Sequence, residues 1–137
     1  MFKPLATLLA AAALGGCALV SPDESADDLR AHADRKITQK ISLSPANACA
    51  KVARVLSWCA RGPNYHYRCN TNLNSSRSEL IGVLEAVYRT EVFLVVDFAK
   101  HGTDTDMTIQ QRDSMLIYDY PPMIEKYLSG NLDCQPG

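Results

Sequence analysis

Cysteine has the most reactive side chain in this chain, and the spacing of the cysteines limits what they can do. Cys17 stands apart from the other four, which are Cys49, Cys59, Cys69 and Cys134. Four thiolates can hold a structural zinc ion, but zinc sites use closely spaced Cys-x-x-Cys pairs. The intervals of 10, 10 and 65 residues contain no such pair. The spacing therefore favours disulfide bonds over zinc, with buried free thiols as the alternative, and it predicts no metal site.

The first seventeen residues have the pattern of an export signal. A basic residue precedes an apolar run of about ten residues, 5–14, which is the size of the hydrophobic region of a signal peptide. The run is too short to span a bilayer, for which a helix needs about 20 residues. The motif Leu14-Gly15-Gly16-Cys17 follows directly. It resembles the lipobox of bacterial lipoprotein precursors, although Gly15 is a less common residue at its position.

The resemblance implies that residues 1–16 are a signal peptide and that Cys17 becomes a lipidated N-terminus. In that family the cysteine sulfur receives a diacylglycerol, because a thiolate is nucleophilic enough to take it. Two or three acyl chains hold a protein stably at a bilayer. Ala18 rather than Asp after the cysteine implies sorting to the outer membrane, facing the periplasm or the cell surface, if the source is Gram-negative. An ordinary secretory leader that ends beside a cysteine is the alternative.

Export to an oxidising compartment predicts that the remaining four cysteines form two disulfide bonds. Cys49 and Cys59 share a predicted helix over about 45–61, where ten residues place them about 15 Å apart, too far for a bridge. Two pairings remain open: Cys49–Cys69 with Cys59–Cys134, or Cys49–Cys134 with Cys59–Cys69. The first is slightly preferred, because a strand returning antiparallel along the helix brings Cys69 level with Cys49.

The other residues that could do chemistry are scattered. The three histidines have no metal-ligand spacing, and a cluster of His101, Asp104 and Asp106 lacks the oxygen ligands of a calcium loop. Asp97 interrupts an apolar segment, and we expect it to face water or to pair with one arginine. No motif for a nucleophile, a phosphate loop or paired catalytic carboxylates is present. The sequence therefore predicts no enzyme and no cofactor.

Composition indicates one globular domain without an affinity for nucleic acid. The chain has 137 residues, of which 47% are apolar, an ordinary fraction for a globular protein. Its formal net charge is -1, which becomes -2 when the leader and its single lysine are removed. Binding to nucleic acid would require a basic excess.

The elements that must position these residues follow from periodicity. A marginal helix is predicted over 22–40, with a disordered tether as the alternative, and it is interpreted as a stalk. The predicted organisation is thus a signal peptide over 1–16, a lipidated N-terminus with a helical or flexible stalk over 17–43, and a disulfide-bonded globular domain over 44–137.

Within the globular domain, alternation predicts strands over 65–71 and 107–111. The apolar, β-branched segment 92–98 is predicted to be a central strand. Residues 79–89 are ambiguous, with strand preferred over helix, and a short helix is predicted over 121–128. The expected fold is α+β, a two-layer sandwich of a three- or four-stranded antiparallel sheet with one helix before it and one after it.

These expectations favour a non-catalytic lipoprotein of the cell envelope that acts through protein–protein contacts in assembly, secretion or surface attachment. A binder of an apolar or amphipathic ligand between sheet and helices is the first alternative, and a small hydrolase using Asp97 or His101 is a remote one. The expected partners are the bilayer and an envelope protein. The segment Tyr118-Asp119-Tyr120-Pro121 is the possible interaction surface, since exposed tyrosines often anchor interfaces.

Overall fold

The computed structural model describes residues 23–74, 76–113 and 118–134. The predicted signal peptide over 1–16 and the lipidation site at Cys17 lie outside these residues. The described chain contains three helices, which are α1 (Ala26–His32), α2 (Pro45–Cys59) and α3 (Tyr120–Leu128). It contains five strands, which are β1 (Arg35–Ile41), β2 (Tyr65–Asn74), β3 (Arg77–Ala86), β4 (Arg89–His101) and β5 (Asp104–Gln111).

The five strands form one antiparallel sheet in the order β1-β5-β4-β3-β2. Strands β2 to β5 follow one another as a meander, and β1 is added at the far edge beside β5. The α+β class is confirmed, but the sheet has one strand more than the sequence predicted. The extra strand is β1, because apolar residues four apart in this segment suggested a helix.

Helix α2 begins where local chemistry favours a helix start. The Ser44 hydroxyl accepts a hydrogen bond from the Asn47 N–H at 3.4 Å, and Pro45 occupies the first turn. Val52 and Leu56 are fully buried against the sheet, and each contributes about 1.5–3 kcal/mol by leaving water. The helix predicted over 45–61 is confirmed, and its packing on β2 to β4 fixes one layer of the molecule.

Strand β4 lies at the centre of the sheet, as the apolar segment 92–98 predicted. Residues 92–96 are all buried, because α2 and α3 cover one face of the strand and α1 covers part of the other. The preferred strand interpretation of 79–89 is also confirmed, since β3 occupies most of it and pairs with β4. The turn into β5 uses Gly102 at φ 63°, a conformation that glycine adopts without steric cost.

Helix α1 packs on the opposite face of the sheet from α2 and α3. Its Leu29 is fully buried against Val92 and Val95, and the carbonyl of Asp23 accepts a hydrogen bond from the Val92 N–H at 2.7 Å. The helix expected over 22–40 is therefore a seven-residue helix followed by an edge strand. The chain from Asp23 onward belongs to the folded domain, and the two-layer sandwich is only partly matched.

Candidate interaction surfaces

Two disulfide bonds connect the elements, and they have the preferred pairing. Cys49 in α2 is bonded to Cys69 in β2, with a Cα–Cα distance of 5.8 Å. Cys59 at the end of α2 is bonded to Cys134, with a Cα–Cα distance of 4.9 Å. The first bond is anchored in the core, since Cys49 is fully buried, whereas Cys134 lies on an exposed tail. The second bond therefore holds the tail beside α2.

The predicted interaction surface is corrected by the structure. Tyr120 and Pro121 are buried, and Tyr118 is partly buried against the core. The physical reason is that Pro121 opens α3, so the first turn of that helix faces the sheet. The Tyr120 ring stacks on Phe93 with a centroid distance of 5.6 Å. Tyr120 and Pro121 therefore belong to the core, Tyr118 borders it, and Asp119 is the exposed residue of the segment.

The buried tyrosine hydroxyls bond to each other inside the core. The Tyr67 and Tyr120 hydroxyl oxygens are 2.8 Å apart. Tyr67 also donates to the carbonyl of Ala60 at 2.8 Å. Because burial penalises the phenolate, it raises the pKa of both hydroxyls well above the usual value of about 10.

This burial predicts loss of stability at alkaline pH. The folded-state pKa of Tyr67 and of Tyr120 is raised, so their contribution is complete below the unfolded pKa and declines as pH rises above about 10. Two tyrosines together remove about 2.7 kcal/mol from the free energy of unfolding per pH unit. Urea unfolding at about pH 9 and about pH 11 measures the loss, and tyrosinate absorbance follows ionisation. The double variant Tyr67→Phe/Tyr120→Phe should show a shallower decline, and the part that remains comes from Tyr127, whose pKa burial also raises. An equally steep decline would contradict the assignment.

Asp97 pairs with one arginine, as expected for a carboxylate in an apolar strand. Arg30 on α1 donates to its two oxygens at 2.6 and 3.0 Å, and to Glu79 at 2.6 Å. Gln110 donates to Asp97 at 2.9 Å. The hydrogen bonds to Asp97 raise the pKa of Arg30 further above its usual value, although burial acts in the opposite direction. The cluster fixes α1 to the sheet.

His101 has a separate partner. Its Nδ1 lies 2.7 Å from a carboxylate oxygen of Asp106, and the Lys40 ammonium donates to the other oxygen at 3.1 Å. These two hydrogen bonds, that from His101 first, hold the pKa of Asp106 below its usual range. His101 is four residues from Asp97 on β4, or about 13 Å along the strand. The structure therefore does not bring them into one cleft. Throughout 23–74, 76–113 and 118–134, no three His, Cys, Asp or Glu residues converge in a way that could hold a metal ion.

The exposed side of α2 forms an open groove of about 700 Å³ with the C-terminal tail. Lys51, Arg54, Val55 and Trp58 recur at helical spacing along its floor, and Leu132 lines the tail side. Trp58 is 73% exposed and Leu132 is 58% exposed, which is unusual for such large apolar side chains. The Cys59–Cys134 bond joins the tail to α2 beside this surface, which we call the α2 groove.

Helix α2, the floor of the α2 groove, carries only positive charge, whereas the tail side carries Asp133 beside Leu132. Residues 35–78 contain eight lysines and arginines and no aspartate or glutamate. In the part of the chain that the structure describes, Lys51 and Arg54 form no ion pair. The Arg61 guanidinium lies 5.7 Å from the centroid of the Trp58 ring, within the range of a cation–π contact. Sequence reasoning missed this surface, and the signal that could have revealed it is the acid-free stretch.

A second exposed apolar feature is the two-residue turn between β3 and β4. Val87 is 88% exposed and Tyr88 is 97% exposed. Both residues have negative φ, so the backbone of the turn requires neither a β-branched nor an aromatic side chain at these positions. We call this feature the Val87-Tyr88 turn.

No family model, curated protein or solved structure matches this chain. Among the helices of the described residues, none has the length and hydropathy required to cross a membrane.

Proposed function

We propose that this chain is a non-catalytic, lipid-anchored envelope protein that acts through contact with another envelope protein at the α2 groove. The observation that carries the proposal is the groove itself, an open apolar surface of about 700 Å³ with cations that have no partner within the described chain. Apolar anchors beside unpaired cations are typical of a surface that a partner covers.

The lipobox resemblance at Cys17 supports the anchor, and the disulfide bonds support the compartment. Disulfides persist in oxidising compartments such as the periplasm and the cell surface, and all four cysteines other than Cys17 are paired. An acylated Cys17 would hold the domain at the bilayer, and Ala18 supports the outer membrane by the family analogy. These features together support export, lipidation and residence in the envelope.

The chemistry of the groove favours an acidic, amphipathic segment as its occupant. Trp58 and Leu132 offer apolar contact, while Lys51 and Arg54 offer positive charge. Helix α2 itself carries no carboxylate that could compete. An amphipathic partner helix with apolar residues on one face and Asp or Glu at its border matches both properties, as in other helix-in-groove complexes.

A photo-crosslinking amino acid at Ala50 tests this proposal in the native envelope. Ala50 is exposed and lines the groove, and we expect one discrete adduct whose crosslinked peptide is rich in Asp and Glu. The charge reversal Lys51→Glu/Arg54→Glu should abolish the adduct, because it repels an acidic partner. The probe at Thr103, exposed in a distant turn, is the matched control. Adducts of equal yield at both positions, or an adduct that survives charge reversal, would contradict the proposal.

A small amphipathic anion, such as a fatty acid, is the second candidate for the groove. The volume of about 700 Å³ supports it, since ligand sites commonly enclose roughly 300–1,000 Å³. This groove lies on the outside of α2, whereas the sequence placed a ligand between sheet and helices. Native mass spectrometry of the purified protein distinguishes the two candidates. A bound small molecule that Trp58→Ala removes would favour the ligand.

A further inference from the structure

We infer that the Val87-Tyr88 turn inserts into the polar surface layer of the bilayer that holds Cys17, as a second, non-covalent membrane contact that orients the domain. The inference rests on the lipid anchor of the proposed function, and it concerns a different surface from the α2 groove. The ligand class is a phospholipid surface.

The composition of the turn is the first observation. Both side chains are almost completely exposed, so neither contributes to the core that holds the hairpin together. The backbone of the turn requires neither residue, because both have negative φ, a conformation that most residues adopt. Tyrosine prefers the membrane–water interface, where its ring leaves water and its hydroxyl stays hydrated. The pair is therefore better suited to a lipid surface than to water.

The position of the turn relative to the anchor is the second observation. The carbonyl of Asp23 is fixed to Val92. Tyr88 lies four residues before Val92, in the turn that leads into β4, and is therefore at most about 14 Å away. Cys17 is six residues before Asp23, a span of at most about 22 Å. The anchor can therefore reach a bilayer that the Val87-Tyr88 turn touches.

The turn at the opposite end of the sheet is neither apolar nor within reach of the anchor. Gly102 and Thr103 form the turn between β4 and β5, and Gly102 is ten residues beyond Val92, or about 33 Å in the other direction. This distance exceeds the reach of the six-residue tether. The turn is polar, since His101 and Asp104 flank it. Anchor and apolar turn thus share one end of the molecule, and the polar turn lies at the other.

The charges beside the Val87-Tyr88 turn do not oppose a lipid surface. Glu85 pairs with Arg68 at 3.2 Å and lies 3.5 Å from a His66 nitrogen. Glu91 is buried and pairs with Arg89 at 3.3 Å. Both carboxylates next to the turn therefore have cationic partners, which reduces their repulsion from anionic headgroups.

Tryptophan fluorescence of the complete lipoprotein in vesicles tests the inference. Trp58→Phe removes the only native tryptophan, and Tyr88→Trp or Thr103→Trp then adds one probe at either end. The vesicles contain phosphatidylethanolamine and phosphatidylglycerol, with brominated acyl chains as the quencher. We expect the probe at position 88 to be quenched more than about twofold relative to the probe at 103, with blue-shifted emission, because interfacial aromatics lie at headgroup depth.

Intact mass separates failure of the inference from failure of the anchor. An acylated protein with equal quenching at both positions would overturn the membrane contact and leave the anchor intact. A blue shift at position 88 without quenching by brominated lipid would assign the turn to a second copy of the chain, and would also overturn it. A product without fatty acid would overturn the anchor and the membrane contact together, without affecting the crosslinking test of the groove.

Discussion

Replacing Cys49 and Cys69 together by alanine is expected to lower the free energy of unfolding by about 3 kcal/mol, because the bond closes a loop of 20 residues in the unfolded chain. Cys49 is fully buried between α2 and the sheet. Breaking the bond therefore gives this part of the folded chain no additional conformational freedom that could offset the loss. Urea unfolding of the double variant, compared with the disulfide-bonded protein, measures the loss.

The second disulfide is the matched control. Loop length alone would make it the more stabilising of the two bonds, but we expect the opposite order. The bond between Cys59 and Cys134 closes 75 residues, for which the chain-entropy model gives about 4.5 kcal/mol. However, residues 131–134 are all exposed, and releasing them returns roughly 1 kcal/mol of backbone entropy per residue to the folded state. We therefore expect Cys59→Ala/Cys134→Ala to cost less than Cys49→Ala/Cys69→Ala. The reverse order would show that the tail is more firmly packed than its exposure indicates.

The variant Arg30→Ala is expected to cost about 2–3 kcal/mol, because it leaves two carboxylates facing each other without a counter-charge. Glu79 and Asp97 are directly opposite on β3 and β4, and their side chains are only 14% and 25% exposed. Like charges at such a position repel each other. Because both carboxylates keep some contact with water, we expect a smaller loss of unfolding free energy than for a fully buried pair. Thermal and urea unfolding at neutral pH measure it.

Two further variants separate repulsion from the loss of side-chain packing. Adding Glu79→Gln to Arg30→Ala removes one of the two charges, and it should restore more than half of the lost stability. Arg54 is exposed, and the structure gives it no ion pair among the described residues. Arg54→Ala should therefore change stability by less than about 0.5 kcal/mol. A loss below about 1 kcal/mol for Arg30→Ala would mean that water screens the cluster effectively.

Sequence predicted the elements whose signals are local. Ser44 and Pro45 mark the start of α2, and the β-branched segment 92–98 predicts a buried strand. The slight preference between the two disulfide pairings left open rested on a predicted helix through Cys59 and a predicted strand through Cys69, and the structure has the preferred pairing. The helix and the strand were inferred from residues close together in the chain, whereas the pairing also required the assumption that the strand returns antiparallel along the helix.

The features that sequence missed depend on partners far away in the chain. Strand β1 is an edge strand with mostly exposed side chains, and its partner β5 lies 70 residues away at the contact between Thr38 and Thr108. The local sequence predicts an exposed Tyr120, whereas in the structure its hydroxyl is bonded to that of Tyr67, 53 residues away. No local pattern distinguishes a tyrosine whose hydroxyl is bonded inside the core from one that faces water.

The two exposed surfaces also depend on how distant parts of the chain pack together. Trp58 has the spacing of a helix but lies on the side of α2 that faces solvent, which depends on where the sheet packs. As a β-branched and an aromatic residue, Val87 and Tyr88 favour a strand over a helix for 79–89, yet nothing in the sequence identifies them as the two residues of a hairpin turn. Their exposure follows from the register of β3 with β4.

The addition of β1 beside β5 sets the order in which the molecule can fold. Strands β2 to β5 pair with their neighbours in sequence and can form early, whereas β1 must wait for the last strand to be available. Long-range pairing of this kind slows folding, because a large loop must close first. Until β1 pairs with it, β5 has an open backbone edge that another chain could join, and such an edge invites aggregation. A chaperone that binds this edge would protect the chain until the sheet is complete.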